Sequence, residues 1–72
     1  MASLKHTIAV YLAIPELVDT FLNYITAKNV KFNILEINDK LDPPYVIIKT
    51  SRSKKELDNI IKKQFKNNFA LR

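Results

Sequence analysis

The chain predicts an α+β domain of ferredoxin-like type, in the order βαββαβ, with a four-stranded antiparallel sheet and two helices on one of its faces. Three observations carry this expectation. Apolar and polar residues alternate with a period of two over residues 6–14. Two amphipathic helical segments follow Pro15 and Ser53. Between those helices, two extended runs flank the polar, proline-containing stretch Asn38–Pro44. The 72 residues suit one domain, 1–72, which on folding buries only roughly 60% of the surface of its unfolded chain.

Each element has its own local reason. In the first strand Ile8, Val10, Leu12 and Ile14 fall on one side, and Thr7, Ala9, Tyr11 and Ala13 on the other. Pro15 suits the first position of a helix, where no backbone N–H is needed, and Glu16 and Asp19 oppose the positive end of the helix dipole. Leu17, Val18, Phe21, Leu22 and Ile25 recur at helical spacing, and the helix is expected to end near Asn29.

Residues 30–38 return to extended character through Val30, Phe32, Ile34, Leu35 and Ile37, with a slip in alternation between Ile34 and Leu35 that a β-bulge would produce. The loop Asn38–Pro44 excludes helix through its two prolines and leads into a strand at Tyr45–Thr50. Ser53-Lys54-Lys55-Glu56 reads as a capping box that opens the second helix, with Leu57, Ile60, Ile61 and Phe65 as its buried stripe. Phe69–Arg72 supplies a short last strand.

Composition excludes several chemistries. Glycine is absent, against about 7% in ordinary proteins, so neither a phosphate-cradling P-loop nor a dinucleotide fingerprint exists here. Positive-φ turns are expected instead at Asn29, Asn38, Asn67 and Asn68. Cysteine is also absent, which removes disulfides, thiolate nucleophiles and zinc-finger ligand sets and fits a reducing compartment. The beginning Met1–His6 carries no signal-peptide pattern, and no apolar run approaches the about 20 residues that span a bilayer. The expectation is a cytoplasmic protein without membrane contact. Heavy use of Lys, Ile and Asn matches the coding bias of an AT-rich genome, such as that of a virus or phage.

Charge is unevenly placed. Residues 1–48 hold four basic and five acidic side chains, whereas residues 49–72 hold eight basic and two acidic, so the net +5 is concentrated in the last third. On the second helix Lys55, Asn59, Lys62 and Lys66 fall on the side opposite the apolar stripe, with Lys63 beside them. Together with Arg52 and Lys54 near the helix start, which oppose its dipole, they make a candidate surface for nucleic acid or an acidic partner. The competing reading is a solvated helix face in which Asp58 pairs with Lys62 at i, i+4.

Catalysis has little to stand on. His6 is the single histidine, and the carboxylates Glu16, Asp19, Glu36, Asp39, Asp42, Glu56 and Asp58 are spread over helix faces and a loop. Asp39 and Asp42 share that loop without a third metal ligand, and one histidine must serve any triad. The chain therefore reads as a non-enzyme without cofactor or metal.

The segment running from the first strand into Pro15-Glu16-Leu17, through Ala27-Lys28-Asn29 and on to Val30–Ile37, resembles the first half of an ACT domain. Such domains are small regulatory modules that pair through their sheets and bind amino acids at the loop between the first strand and first helix. The resemblance implies the ferredoxin-like fold, a dimer, and an effector site near Ile14 and Pro15. Of that loop's usual acidic residue, proline and glycine, only Pro15 matches. Val10-Tyr11-Leu12-Ala13-Ile14 also has the rhythm of the first RNA-recognition-motif signature, but Pro44–Lys49 lacks the glycine and the aromatic spacing of the companion signature.

A ferredoxin-like sheet leaves one face without helices. There the alternation places Ala9, Tyr11 and Ala13 from the first strand and Tyr45 and Ile47 from the third, a surface too apolar for a small protein to leave fully wet. The leading expectation is a regulatory or inhibitory module that self-associates, most simply as a homodimer, or docks a protein partner through these residues. Nucleic-acid binding through the basic helix and ACT-like effector binding are the alternatives.

Overall fold

A computed structural model of the chain describes residues 4–72; Met1–Ser3, part of the segment read above for a leader signal, lie outside the described residues. The elements follow in the order β1 (His6–Leu12), α1 (Leu17–Ala27), β2 (Phe32–Asn38), β3 (Tyr45–Thr50), α2 (Lys54–Phe65) and β4 (Phe69–Leu71). The four strands form one sheet in the order β2-β3-β1-β4, antiparallel throughout. This is the ferredoxin-like arrangement of two interleaved βαβ units.

Register decides which residues share a face. Ile8 lies opposite Ile48 and Val10 opposite Val46, while Val10 also faces Leu71 and Leu12 faces Phe69. Ile8, Val10, Leu12, Val46 and Ile48 are at most 2% exposed and join Val18, Phe21 and Ile25 of α1 with Leu57, Ile61 and Phe65 of α2 in one core. Both helices therefore cover the same side of the sheet. Phe21 and Phe65 meet edge to face with ring centroids 6.1 Å apart, and Tyr24 meets Phe65 the same way at 5.7 Å. Aromatic contacts of this geometry add about 0.5–1.5 kcal/mol beyond the area they bury.

The local signals work as chemistry. The Ser53 side chain accepts from the Glu56 amide and the Glu56 carboxylate accepts from the Ser53 amide, both at 3.2 Å, closing the capping box at the start of α2. The bulge sits at Leu35, since Ile34 pairs with Ile48 but Glu36 pairs with Ile47. Thr50 is the one buried polar side chain among the described residues. Its hydroxyl donates to the Lys31 carbonyl at 2.7 Å, satisfying a group that burial would otherwise leave without water.

Several expectations are corrected. β1 ends at Leu12 rather than residue 14, so Ile14 is exposed and Ala13 lies past the strand. Pro15 and Glu16 form a turn, closed by Leu17 N–H to Ile14 O and Val18 N–H to Pro15 O, and the helix proper opens at Leu17. Val30 is buried but precedes β2, its amide donating to the Ile25 carbonyl. Of the four asparagines expected at positive φ, Asn29 has it, at 60°, whereas Lys66 takes the second such position at 55°. Asn38 makes its turn with its side chain instead, whose Oδ1 accepts from the amides of Lys40 and Leu41. On β2, Ile34, Leu35 and Ile37 remain about half exposed because this strand forms the outer edge of the sheet.

Candidate protein interface on the open sheet face

The helix-free face is built by the residues that alternate with the core. Tyr11 lies opposite Tyr45 on one side and Ala70 on the other, and Ala9 lies opposite Ile47. The amides of Ala9 and Arg72 each donate to the other's carbonyl, at 3.0 and 2.8 Å, so Arg72 continues β4 beside Ala9. The bulge at Leu35 brings Glu36 opposite Ile47 and Asn38 opposite Tyr45. Across the four strands, in sheet order, this gives a row Asn38–Tyr45–Tyr11–Ala70 and a neighbouring row Glu36–Ile47–Ala9–Arg72.

Ala9, Tyr11, Tyr45 and Ile47 are half-buried even without helices over them, because each is packed by its cross-strand neighbours. The Tyr11 and Tyr45 rings are tilted at 44° with centroids 5.4 Å apart. Tyr45 donates its hydroxyl to Glu36 Oε2, and the Arg72 guanidinium sits 5.4 Å from the Tyr11 ring centroid. Two tyrosines are thus flanked by an acid on one edge and a base on the other. The Glu36 hydrogen bond raises the Tyr45 pKa above the ordinary tyrosine value, with desolvation adding to it, since ionisation would lose that bond and set a phenolate against a carboxylate.

Of the residues expected on this surface, Ala9, Tyr11, Tyr45 and Ile47 come together; Ala13 sits at its margin, beyond the end of β1. Beside it an open depression of about 210 Å³ is lined by Tyr11, Ala13, Pro43, Asn68, Phe69 and Ala70. Glu36 and Arg72 were not expected here. The bulge alone sets Glu36 on this face, and the β1–β4 register alone sets Arg72 there. The slip at Ile34–Leu35 was a usable signal for the former.

The basic residues are distributed differently. Lys54, Lys55, Lys62 and Lys63 are exposed along α2, but Lys66 lies past its end as the C-cap, so the expected ridge is one residue shorter. Lys62 stands 4.0 Å from Asp58 at i, i+4, and Arg52 stands 3.5 Å from Glu56 instead of merely opposing the dipole. Exposed pairs of this kind contribute little, typically about 0–1 kcal/mol. Hydrogen bonds from the Ser53 backbone and side chain, with the nearby Arg52 charge, hold the Glu56 pKa below the ordinary carboxylate value. Among the described residues no cluster of three or more His, Cys, Asp or Glu side chains is placed to hold a metal, and no helix is long and apolar enough to cross a membrane.

Comparison with protein-family models, with curated proteins and with solved structures finds no match to this chain.

Proposed function

We propose that this protein is a small non-enzymatic regulatory or inhibitory module that acts by self-association through the helix-free face of its sheet. The observation that carries this reading is the half-buried apolar centre Ala9, Tyr11, Tyr45 and Ile47, with a paired aromatic core and a charged rim. An apolar, aromatic middle bordered by polar and charged groups is the composition that distinguishes interface cores from ordinary surface. Thermodynamics favours the same outcome, since a 72-residue chain has a small core and gains from covering further apolar area.

Sedimentation velocity over about 1 µM to about 1 mM, a range matched to weak and moderate association, tests the reading. The expected result is a concentration-dependent dimer that Tyr11→Glu dissociates while the far-UV circular dichroism stays unchanged. A monomer at every concentration overturns it.

A second reading, nucleic-acid binding, is supported by Lys54, Lys55 and Lys63, which are exposed on α2 and have no carboxylate within 4 Å among the described residues. Such contacts would be to phosphate, insensitive to sequence and steeply weakened by salt. Fluorescence anisotropy with a labelled oligonucleotide at low salt decides it: binding lost on charge reversal of these three lysines supports the reading, and no binding by the unaltered protein removes it.

A further inference from the structure

We propose that the partner on the open face is a second copy of this chain, related by a two-fold axis that runs parallel to the strands between β1 and β3, so that Glu36 of each copy faces Arg72 of the other. The inference rests on the self-association reading above and adds to it the symmetry and the register.

The argument begins with the row Glu36–Ile47–Ala9–Arg72, one residue from each strand in sheet order. Face-to-face pairing of two identical sheets about a two-fold axis is isologous, and an axis along the strands sets each row against a copy of itself. An axis along the strands reverses the row. Glu36 then meets Arg72 of the second copy, Ile47 meets its Ala9, Ala9 meets its Ile47, and Arg72 meets its Glu36. Opposite charges meet at both edges, and a large side chain meets a small one twice in the middle. In the next row Tyr45 meets Tyr11 of the second copy and Asn38 meets Ala70, while Lys49 meets Thr7, so no like charges come together.

The competing in-plane axis runs across the strands. It keeps every residue over its own strand: laid along this row it sets Glu36 against Glu36 and Arg72 against Arg72, which costs free energy at an interface of low dielectric, and laid between the two rows it sets Glu36 against Asn38 and Arg72 against Ala70, so that neither charge meets its opposite. Charge therefore selects between the two symmetries. Facing sheets pack about 10 Å apart, and the right-handed twist of each sheet opens the gap toward its edges. Glutamate and arginine are long enough to bridge that gap, where shorter side chains would not be.

Both charges are already positioned for it. The Tyr45 hydroxyl holds Glu36 Oε2 and leaves Oε1 free, and the Tyr11 ring lies under the Arg72 guanidinium, whose donors make no ion pair among the described residues. Restricting long side chains before contact lowers the entropy lost on pairing. The contact area is modest: strands of 7, 7, 6 and 3 residues give a face on the order of 400 Å² per copy, about half that of a standard interface, so the dimer is a weak and reversible one.

The test uses two charge-reversed variants, Glu36→Arg and Arg72→Glu, by sedimentation equilibrium, alone and mixed in equal amounts. Both sites are exposed, and unchanged thermal midpoints will establish that the variants fold. Each variant alone should dimerise at least about tenfold more weakly than the unaltered protein, because two like-charge contacts replace two attractive ones. Mixed, the two should form a heterodimer with affinity restored, since every Arg–Arg and Glu–Glu contact becomes Arg–Glu. Dimers of undiminished affinity from each variant alone overturn the register, and if Tyr11→Glu still dissociates them, the self-association reading survives. Failure of the mixture to regain affinity also overturns the register. An unaltered protein that never dimerises overturns both.

Discussion

The phenolic oxygen of Tyr24 on α1 lies 2.7 Å from the carbonyl oxygen of Ile60 on α2, and its O–H donates across the helix pair. The same ring packs edge-on against Phe65, and the Lys28 ammonium lies 5.5 Å from its centroid. One side chain thus joins the two helices by a hydrogen bond and an aromatic contact, while the cation–π contact comes from the C-cap of its own helix. Tyr24→Phe keeps the ring and removes the hydroxyl, and is expected to cost about 0.5–1.5 kcal/mol. A lower urea midpoint with an unchanged slope is the signature to look for.

Lys66 occupies φ 55°, ψ −110°, in a turn closed by the Asn68 amide donating to the Phe65 carbonyl at 2.9 Å. These angles match the first central position of a type II′ turn, where a side chain crowds the backbone and glycine does not. Lys66→Gly is therefore expected to stabilise the protein by about 1 kcal/mol, read as a raised thermal midpoint. Lys66→Ala, which retains the Cβ, is the control and should give little of that gain.

The capping box makes a pH-dependent contribution. Glu56 has a folded-state pKa below its unfolded one, so it stabilises the fold above the unfolded carboxylate value, and this is lost as the pH falls through the folded pKa. Glu56→Gln should flatten the acid limb of a stability–pH profile. Ser53→Ala removes the acceptor for the Glu56 amide and should cost about 1 kcal/mol at neutral pH. Both are measurable by denaturant titration at stepped pH.

Tyr45 behaves in the opposite sense. Its raised pKa means that the neutral hydroxyl is favoured by folding, with the contribution present below the unfolded tyrosine pKa and lost as the pH rises through the folded one. Ultraviolet titration of the phenolate should show a late-ionising tyrosine that disappears in Tyr45→Phe and moves back toward the ordinary value in Glu36→Gln.

Thr50 offers a test of buried polarity. Thr50→Val keeps the shape but withdraws the donor from the Lys31 carbonyl and the acceptor from the Arg52 amide. The expected cost is about 0.5–1.5 kcal/mol, since two hydrogen bonds are lost but the Lys31 carbonyl keeps the Ser51 amide at 3.4 Å and these backbone groups are only partly buried.

Much of the fold was legible in the residues themselves. The strand Tyr45–Thr50, the capping box at Ser53 and Glu56, the bulge near Leu35 and the positive φ of Asn29 are all written in local patterns, because period, capping and turn chemistry act over a few neighbours. So was most of the candidate interface: a strand that buries Val10 and Leu12 must turn Ala9 and Tyr11 the other way. The overreach lay at element ends. Ile14 continued the alternation but not the strand, since β1 stops where its neighbour Tyr45 begins pairing and the chain turns at Pro15.

Which residues meet across strands was decided only by tertiary structure. The adjacency of Glu36, Ile47, Ala9 and Arg72 joins positions as far apart as 9 and 72 in the sequence, and depends on strand order and on the single extra residue at the bulge. Local pattern determines which face a side chain takes, because alternation is a property of one strand. It carries no information about what lies beside that side chain, because hydrogen-bonded register is a property of two. The placement of Glu36 and Arg72 at opposite edges of one row belongs to this second kind.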